Sequence, residues 1–466
     1  MVLLSAAVAL CQSPDDRLRE LVARAQDAER RENLHEAERL YKEVLTIRPH
    51  WASAELNLGL VYYSQRKYRE AIDVLGEALR HDGNLTSAHL FRGASYHHSG
   101  AYREAVQALD LYLKSEPESA EALSHLASAH YQLNDYARAA LHYAAQLRQG
   151  NDANLYFHLA ESYLQLSRQS MKRLSDDPKA KYFYLILSAE ELLSAADREL
   201  AGRQIREAIA LRPQAPEAQA SLRRHEGGPS DDCREAPAAY ADALCRARQG
   251  EFAAATKALL AAAPATEPRH TYWSFRIAKQ LGQAAVNRLG SAAPGSALLL
   301  LIGAQIDEQN GNDEAAGQAY RRALETGGAD LEARVRYGKF LCKLGRFDEA
   351  APLYEQALSM EPRNPRLMAL LGEMHATQGR EEKALPYLRG ALETVAGDSQ
   401  SRLYLAQCLI RLGQTAEAVS VLEAAPDDPD GRLHYLLGTS YQKLGETEKA
   451  RKALAISQER KKSVQQ

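Results

Sequence analysis

Residues 56–79 read LNLGLVYYSQRKYREAIDVLGEAL, and the role of Gly59 within them decides the fold. Leu56, Leu58, Gly59, Tyr62 and Tyr63 recur at spacings near 3.6, so Ala52 to Gln65 reads as a helix with one apolar stripe. Arg66-Lys67 makes a turn, and Tyr68 to Leu79 reads as a second helix with Ala71, Leu75 and Ala78 facing inward. Glycine inside a helix costs up to about 1 kcal/mol relative to alanine. It is tolerated where a neighbouring helix comes so close that a side chain would overpack. Gly59, answered by Ala71, is therefore expected to mark where two paired helices touch.

The arrangement repeats. Residues 337–358 read YGKFLCKLGRFDEAAPLYEQAL, and residues 437–454 read LGTSYQKLGETEKARKAL. Leu58-Gly59-x-x-Tyr62, followed by Ala71, Leu75 and Ala78, resembles the tetratricopeptide repeat, a helix–turn–helix unit of about 34 residues. The same marks recur as Gly93, Tyr96, Ala105, Leu109 and Pro117, and as Gly338, Ala350, Tyr354, Ala357 and Pro362. They recur again as Gly372, Ala384, Leu388 and Ala391, and as Gly438, Tyr441, Ala450 and Leu454. A degenerate first copy keeps Ala25, Ala28, Ala37, Tyr41 and Pro49. The resemblance covers nearly the whole chain from about Leu18. It implies an all-α fold, a right-handed α-solenoid superhelix of antiparallel helix pairs.

Composition agrees with a folded repeat chain, at 45% hydrophobic and 26% charged residues. The net charge of −3 supplies no basic field for nucleic acid, so no nucleic-acid partner is expected. Five cysteines fit neither a disulfide scaffold nor a paired metal framework. Val2 to Cys11 is an apolar run of signal-peptide length, too short for a transmembrane span. It lacks a basic leader, so export and a cytoplasmic start with an apolar tail both stand as readings of residues 1–14. Cys11 also sits where a bacterial lipoprotein signal places its acylated cysteine, although Leu10 departs from the small residue expected before it.

The expected organisation is a first solenoid half at 15–220, a loop at 221–236 and a second half at 237–466. The break is SLRRHEGGPSDDCREAP (221–237), whose Gly-Gly-Pro and charges interrupt helical periodicity. Residues 154–181 and about 269–296 read as shortened units without the usual turn. Leu166 aligns with Leu281, Leu174 with Leu289, Ala201 with Ala316 and Ala208 with Ala323, each at an offset of 115. The shortened unit and the full unit after it are thus expected to have been duplicated together.

No phosphate-binding loop, dinucleotide fingerprint, zinc-protease motif or nucleophile elbow is present in the sequence. His97 and His98 are adjacent on a helix and diverge by about 100°, which suits a polar helix end better than a shared metal. Asp15-Asp16, Asp176-Asp177, Asp231-Asp232 and Asp427-Asp428 fall in turns, where aspartate caps helices. Cys342 and Cys408 read as small buried residues. In an oxidising compartment, a disulfide between Cys233 and Cys245 would pin the loop to the next helix. No catalytic residue, metal or cofactor is expected.

The resemblance further implies that the first helix of each pair lines a concave groove. In the first half its positions carry Leu56, Leu60 and Tyr63, then Leu90, His97 and His98, then Ser124, Ser128, Tyr131 and Gln132. Phe157, Glu161, Ile186 and Glu190 follow. The second half offers Tyr240, Tyr272, Arg276, Lys279, Gln305, Lys339, Lys343, Glu373, Gln407 and Arg411. These residues suit a non-enzymatic scaffold that takes a protein or peptide along an apolar first half and a cationic second half. Sealing of a tightly wound superhelix by the same leucines stands beside that reading. The family's clamp for acidic tails needs Lys and Asn where this chain has Leu56/Leu60 and Leu90/Ala94, which disfavours that ligand. If exported, the scaffold would act in the bacterial envelope. The alternative role is a regulatory or substrate-presenting subunit whose catalytic part is a separate chain.

Overall fold

The computed structural model describes residues 14–147, 152–194, 197–226, 236–262, 267–362, 364–395, 397–425, 428 and 430–465. Two compact units result, Met1–Pro117 with Asp313–Gln466, and Glu118–Asn312. The first opens with α1 (Pro14–Arg30), α2 (Leu34–Ile47), α3 (Ala52–Ser64), α4 (Tyr68–His81), α5 (Thr86–His98) and α6 (Tyr102–Leu113). The second holds α7 (Ala120–Gln132), α8 (Tyr136–Gln146), α9 (Ala153–Asp176), α10 (Lys181–Ser194), α11 (Arg198–Leu211) and α12 (Pro216–His225). It continues with α13 (Ala238–Gln249), α14 (Phe252–Ala261), α15 (Pro268–Ala292) and α16 (Ala297–Gln309). The first unit resumes with α17 (Asp313–Thr326), α18 (Asp330–Lys343), α19 (Phe347–Met360), α20 (Pro365–Thr377) and α21 (Glu381–Thr394). It ends with α22 (Ser399–Arg411), α23 (Thr415–Glu423), α24 (Arg432–Lys443) and α25 (Thr447–Gln465). No strand occurs among the described residues, and the fold is an all-α solenoid of antiparallel helix pairs.

Five of the pairs close on the same contact. A Cβ placed on Gly59 would lie 2.5 Å from Cγ and Cδ2 of Leu75, which is fully buried. Gly93 meets Leu109 in the same way, Gly338 meets Tyr354, Gly372 meets Leu388 and Gly438 meets Leu454. The glycine therefore makes room for a large residue on the second helix. Ala71, expected to answer Gly59, is buried without being that contact. The turn inside a pair also needs one left-handed residue. Gly345 supplies it between α18 and α19 at φ 74°, whereas Arg66 does so between α3 and α4 at φ 60°, against the preference of its side chain.

The two shortened units are single continuous helices, α9 and α15, and their first residues, Ala153 and Pro268, lie 115 apart. The offset holds at both ends of α11 and α17, from Arg198 to Asp313 and from Leu211 to Thr326. Within the second unit α9 and α15 form the most extensive helix–helix contact among the described residues. Tyr163 on α9 donates to Thr256 Oγ1 on α14 at 2.8 Å, because the threonine hydroxyl donates its own proton to Phe252 O at 2.8 Å.

The loop expected at 221–236 begins later than its composition indicates. Ser221 to His225 complete α12, where Ala218, Ala220 and Ser221 are buried and hold the helix together. Residues 227–235, including Cys233, lie outside the described residues, as do residues 1–13 with Cys11. Cys245 is disulfide-bonded, while Cys342 and Cys408 are free.

Gly59→Ala is expected to destabilise by about 1–3 kcal/mol, since Leu75 has no space to yield. Gly303 on α16 has nothing within 4 Å of its would-be Cβ and serves as the control. Gly303→Ala should stabilise by about 0.5–1 kcal/mol through helix propensity alone. Urea denaturation followed by far-UV circular dichroism reads both; equal effects would remove the proposed role of the Gly59 contact.

Candidate functional site

The groove positions separate by burial. Leu90 is 6% exposed, Phe157 2%, and Tyr272 and Ile186 are fully buried. Tyr240 and Gln305 are interior as well. These side chains therefore pack the core and do not line an open groove. The physical reason lies largely in the long helices: α9 carries Phe157, α15 carries Tyr272, and their continuous mutual contact buries faces that a standard pair would leave open. Arg276 is likewise committed. It donates to the Tyr272 hydroxyl at 3.2 Å, lies 5.3 Å from the Trp273 ring, and comes within 3.9 Å of Glu190. Tyr131 donates to the buried Glu161 carboxylate at 2.8 Å.

Other groove positions remain open to solvent. In the first unit Leu56, Leu60 and Tyr63 are half-buried, and Leu56 and Tyr63 pack on the core of the first helix pairs. Tyr63 lies 5.3 Å from Phe91 and 6.0 Å from His98, ring centre to ring centre. His98 stacks on Tyr68 at 4.7 Å, and His97 meets Tyr102 edge-on at 5.8 Å. The result is a partly exposed aromatic and imidazole cluster at the turns between first and second helices, where α3 leads to α4 and α5 to α6.

A cluster of charged side chains lies in the same unit. Lys339 on α18 is solvent-exposed, yet surrounding protein and Arg366 pull its ammonium down to about 8 against the support of Glu332 and Glu373. Glu373 on α20 is half-buried, and desolvation, with Asp398 adding its charge, pushes the carboxyl up to about 7 against Lys339. Both shifts have burial by surrounding protein as their main cause. Lys343 is exposed one turn further along α18, and Arg336 on the same helix bonds Glu332 at 2.6 Å.

The aromatic cluster and the charged cluster approach each other inside this unit. A Cβ on Gly100, in the turn before Tyr102, would lie 2.6 Å from Val395 Cγ1 at the end of α21. Burial raises the Tyr102 phenol, with Arg366 opposing and Asp398 adding to the rise. Arg366, Asp398, Tyr68 and Tyr102 were not legible as site residues. Asp398 reads as a helix cap, and it does accept from the backbone N–H groups of Gln400 and Ser401 at 3.1 and 3.2 Å. Only the return of the chain after residue 312 brings these groups together.

Nothing among the described residues assembles a nucleophile, its base and an oxyanion site. Nor is any described helix long and apolar enough to cross a membrane. The geometry defines a repeat protein with an interaction surface. Tetratricopeptide repeat models match residues 22–84, 56–115, 99–154 and 341–399, and further models of the same repeat match 298–365, 375–437 and 433–459. The chain belongs to the tetratricopeptide-repeat family, whose repeats are generally non-catalytic and bind protein or peptide partners. It is similar to DnaJ homolog subfamily C member 3 of Gallus gallus, at 27% identity over 153 residues, covering 28% of this chain and 30% of that protein. The match thus spans less than a third of that relative. Among solved structures, YrrB, described as a TPR protein with an unusual peptide-binding site, is 24% identical over 38% of this chain and 91% of its own, at a TM-score of 0.33. Yeast Tom70 is 15% identical over 96% of this chain and 92% of its own, at 0.32.

The two shifted groups give opposite pH dependences. Glu373 holds its proton more tightly when folded, so stability falls as pH rises from about 4.5 to about 7. Lys339 releases its proton more readily when folded, so stability rises again from about 8 towards its ordinary 10.5. Glu373→Gln should flatten the lower limb and Lys339→Met the upper one, in urea midpoints measured near pH 5, 7.5 and 9.5. Slopes unchanged in both variants would show that the surrounding protein does not shift these groups.

Proposed function

We propose that the chain is a non-enzymatic scaffold that holds a protein or peptide segment against the charged cluster of its first unit. The observation carrying this reading is that Lys339 on α18 and Glu373 on α20, within one unit, are both pushed towards their neutral forms by the protein around them while each keeps some exposure to solvent. Charges held there select a complementary segment more strongly than charges on an open face. The neighbouring cluster of Tyr63, Tyr68, Phe91 and Tyr102 offers aromatic surface of the kind that anchors bound peptides. Leu56 and Leu60 extend that apolar surface along α3. The ligand matching this layout is an extended segment with an aromatic or apolar anchor beside charged residues.

Peptide-library selection on the full chain tests the reading. The parent should enrich a charge-patterned motif, and Lys339→Glu combined with Glu373→Lys should invert its charge preference and weaken the parent motif by about tenfold or more. Enrichment of an identical motif by both proteins would place binding elsewhere. Failure of the parent to enrich any motif would count against peptide binding altogether.

Export through the apolar start is part of the same reading. The disulfide at Cys245 supports it, because such bonds persist in oxidising compartments. The expected partner is Cys233. Fractionation of cells expressing the full sequence, with thiol labelling before and after reduction, should find the chain outside the cytoplasm with Cys233 and Cys245 protected until reduced. A reduced cytoplasmic protein would reverse the assignment.

A further inference from the structure

His50, Glu55 and His81 meet at the junction of the first two helix pairs. His50 lies in the connection between α2 and α3, Glu55 in the first turn of α3, and His81 at the last position of α4. One donor atom from each lies within 4.8 Å of the other two. The two imidazole rings are 4.6 Å apart, centre to centre, and tilted by 54°. Glu55 presents its carboxylate to this cluster with only 9% of its side chain exposed, and its Oε2 lies 2.7 Å from His81 Nδ1.

His81 Nδ1 is the hydrogen-bond partner of this buried carboxylate. Burying a charge is costly unless a cation or several hydrogen-bond donors answer it. The guanidinium groups nearest in sequence are engaged elsewhere. Arg48 lies over the Trp51 ring at 5.0 Å, and Arg80 pairs with Glu77. His50 also has φ 61°, a left-handed conformation uncommon for a residue with a side chain. The other described non-glycine residues with positive φ, Glu32, Arg66 and Asn134, each sit in the tight turn within a pair. His50 stands in a connection between pairs.

We propose that His50, Glu55 and His81 form a binding site for a divalent transition cation of the zinc class. Two imidazole nitrogens and one carboxylate oxygen make up a known three-ligand donor set for zinc, with the fourth position left to water. The nitrogen donors set the site against calcium and magnesium, which take oxygen ligands. Bonds of about 2.0–2.2 Å place tetrahedral donors roughly 3–3.5 Å apart. The site closes when exposed His50 moves inward by about an ångström and the Glu55–His81 pair opens slightly. Imidazole and carboxylate donors bind a cation only when unprotonated, so binding weakens in acid. It would tie the connection leading into α3 to the end of α4 and bracket the second helix pair. The proposal is independent of the peptide-binding reading.

The test uses the untagged full chain, freed of metal by a chelator, and its His50→Ala, His81→Gln and Glu55→Gln variants. Zn²⁺ is titrated against a chromophoric competitor, Mg²⁺ serves as the control, and Co²⁺ reports geometry through its visible spectrum. The parent should take one equivalent of Zn²⁺ that His50→Ala and His81→Gln weaken at least about tenfold, and should ignore Mg²⁺. Its Co²⁺ form should show the intense visible bands of a four-coordinate site, absent in His50→Ala. His50→Ala alters an exposed side chain, so its circular dichroism should match the parent and separate loss of binding from loss of fold. Zinc uptake of equal strength and stoichiometry in the parent and all three variants would overturn the proposal, as would no uptake by the parent.

Discussion

The structure depends on one steric constraint, repeated along the chain: a glycine on the first helix of a pair must lie beneath a large side chain on the second. At Gly59, Gly93, Gly338, Gly372 and Gly438 the covering residue is sixteen positions further on, as Leu75, Leu109, Tyr354, Leu388 and Leu454. The contact sets how closely two helices approach, and close approach excludes water from the alanines around it, such as Ala71, Ala78, Ala105 and Ala384. Pairs built this way present similar faces, so they stack in sequence.

That architecture creates the chemistry of the candidate site indirectly. Lys339, Glu373 and Asp398 come from successive repeats, and Tyr102 from much earlier in the chain. Their mutual influence arises because the packing of pairs within one unit brings their charges near one another. Desolvation acts on both groups and raises the neutral form of each.

The helix pairs, their order and the 115-residue internal offset were legible in the sequence, because periodicity and small-residue spacing are local signals. Helices α9 and α15 were legible as shortened units, since no turn residue interrupts them. What their fusion does to burial was not: Phe157 and Tyr272 occupy groove positions in a standard repeat and become core when two long helices face each other. Lys339 and Glu373 read as groove positions, but the influence of Arg366 and Asp398 on them depends on the packing of successive repeats, which no single repeat encodes. The sequence also drew attention to His97 and His98, adjacent and therefore conspicuous. His50 and His81 lie thirty-one residues apart and carry no such local mark.

The pairing of α9 with α15 has a consequence for how this chain can change. Two related helices packed face to face, one from each copy of a duplication, reproduce within one polypeptide the interface of a symmetric dimer. In a true homodimer any substitution appears on both sides of the axis at once. Here the sides are free to diverge, and they have. Tyr163 of α9 packs across from Gly282 of α15, whose would-be Cβ lies 3.4 Å from the tyrosine Cβ. The positions equivalent by the 115-residue offset are Ala278 and Ser167. The contact between Tyr163 and Gly282 and its equivalent pair of positions, Ala278 and Ser167, thus carry different residues, a difference that strict symmetry would forbid. Covalent linkage has turned a self-complementary surface into a lock and a key.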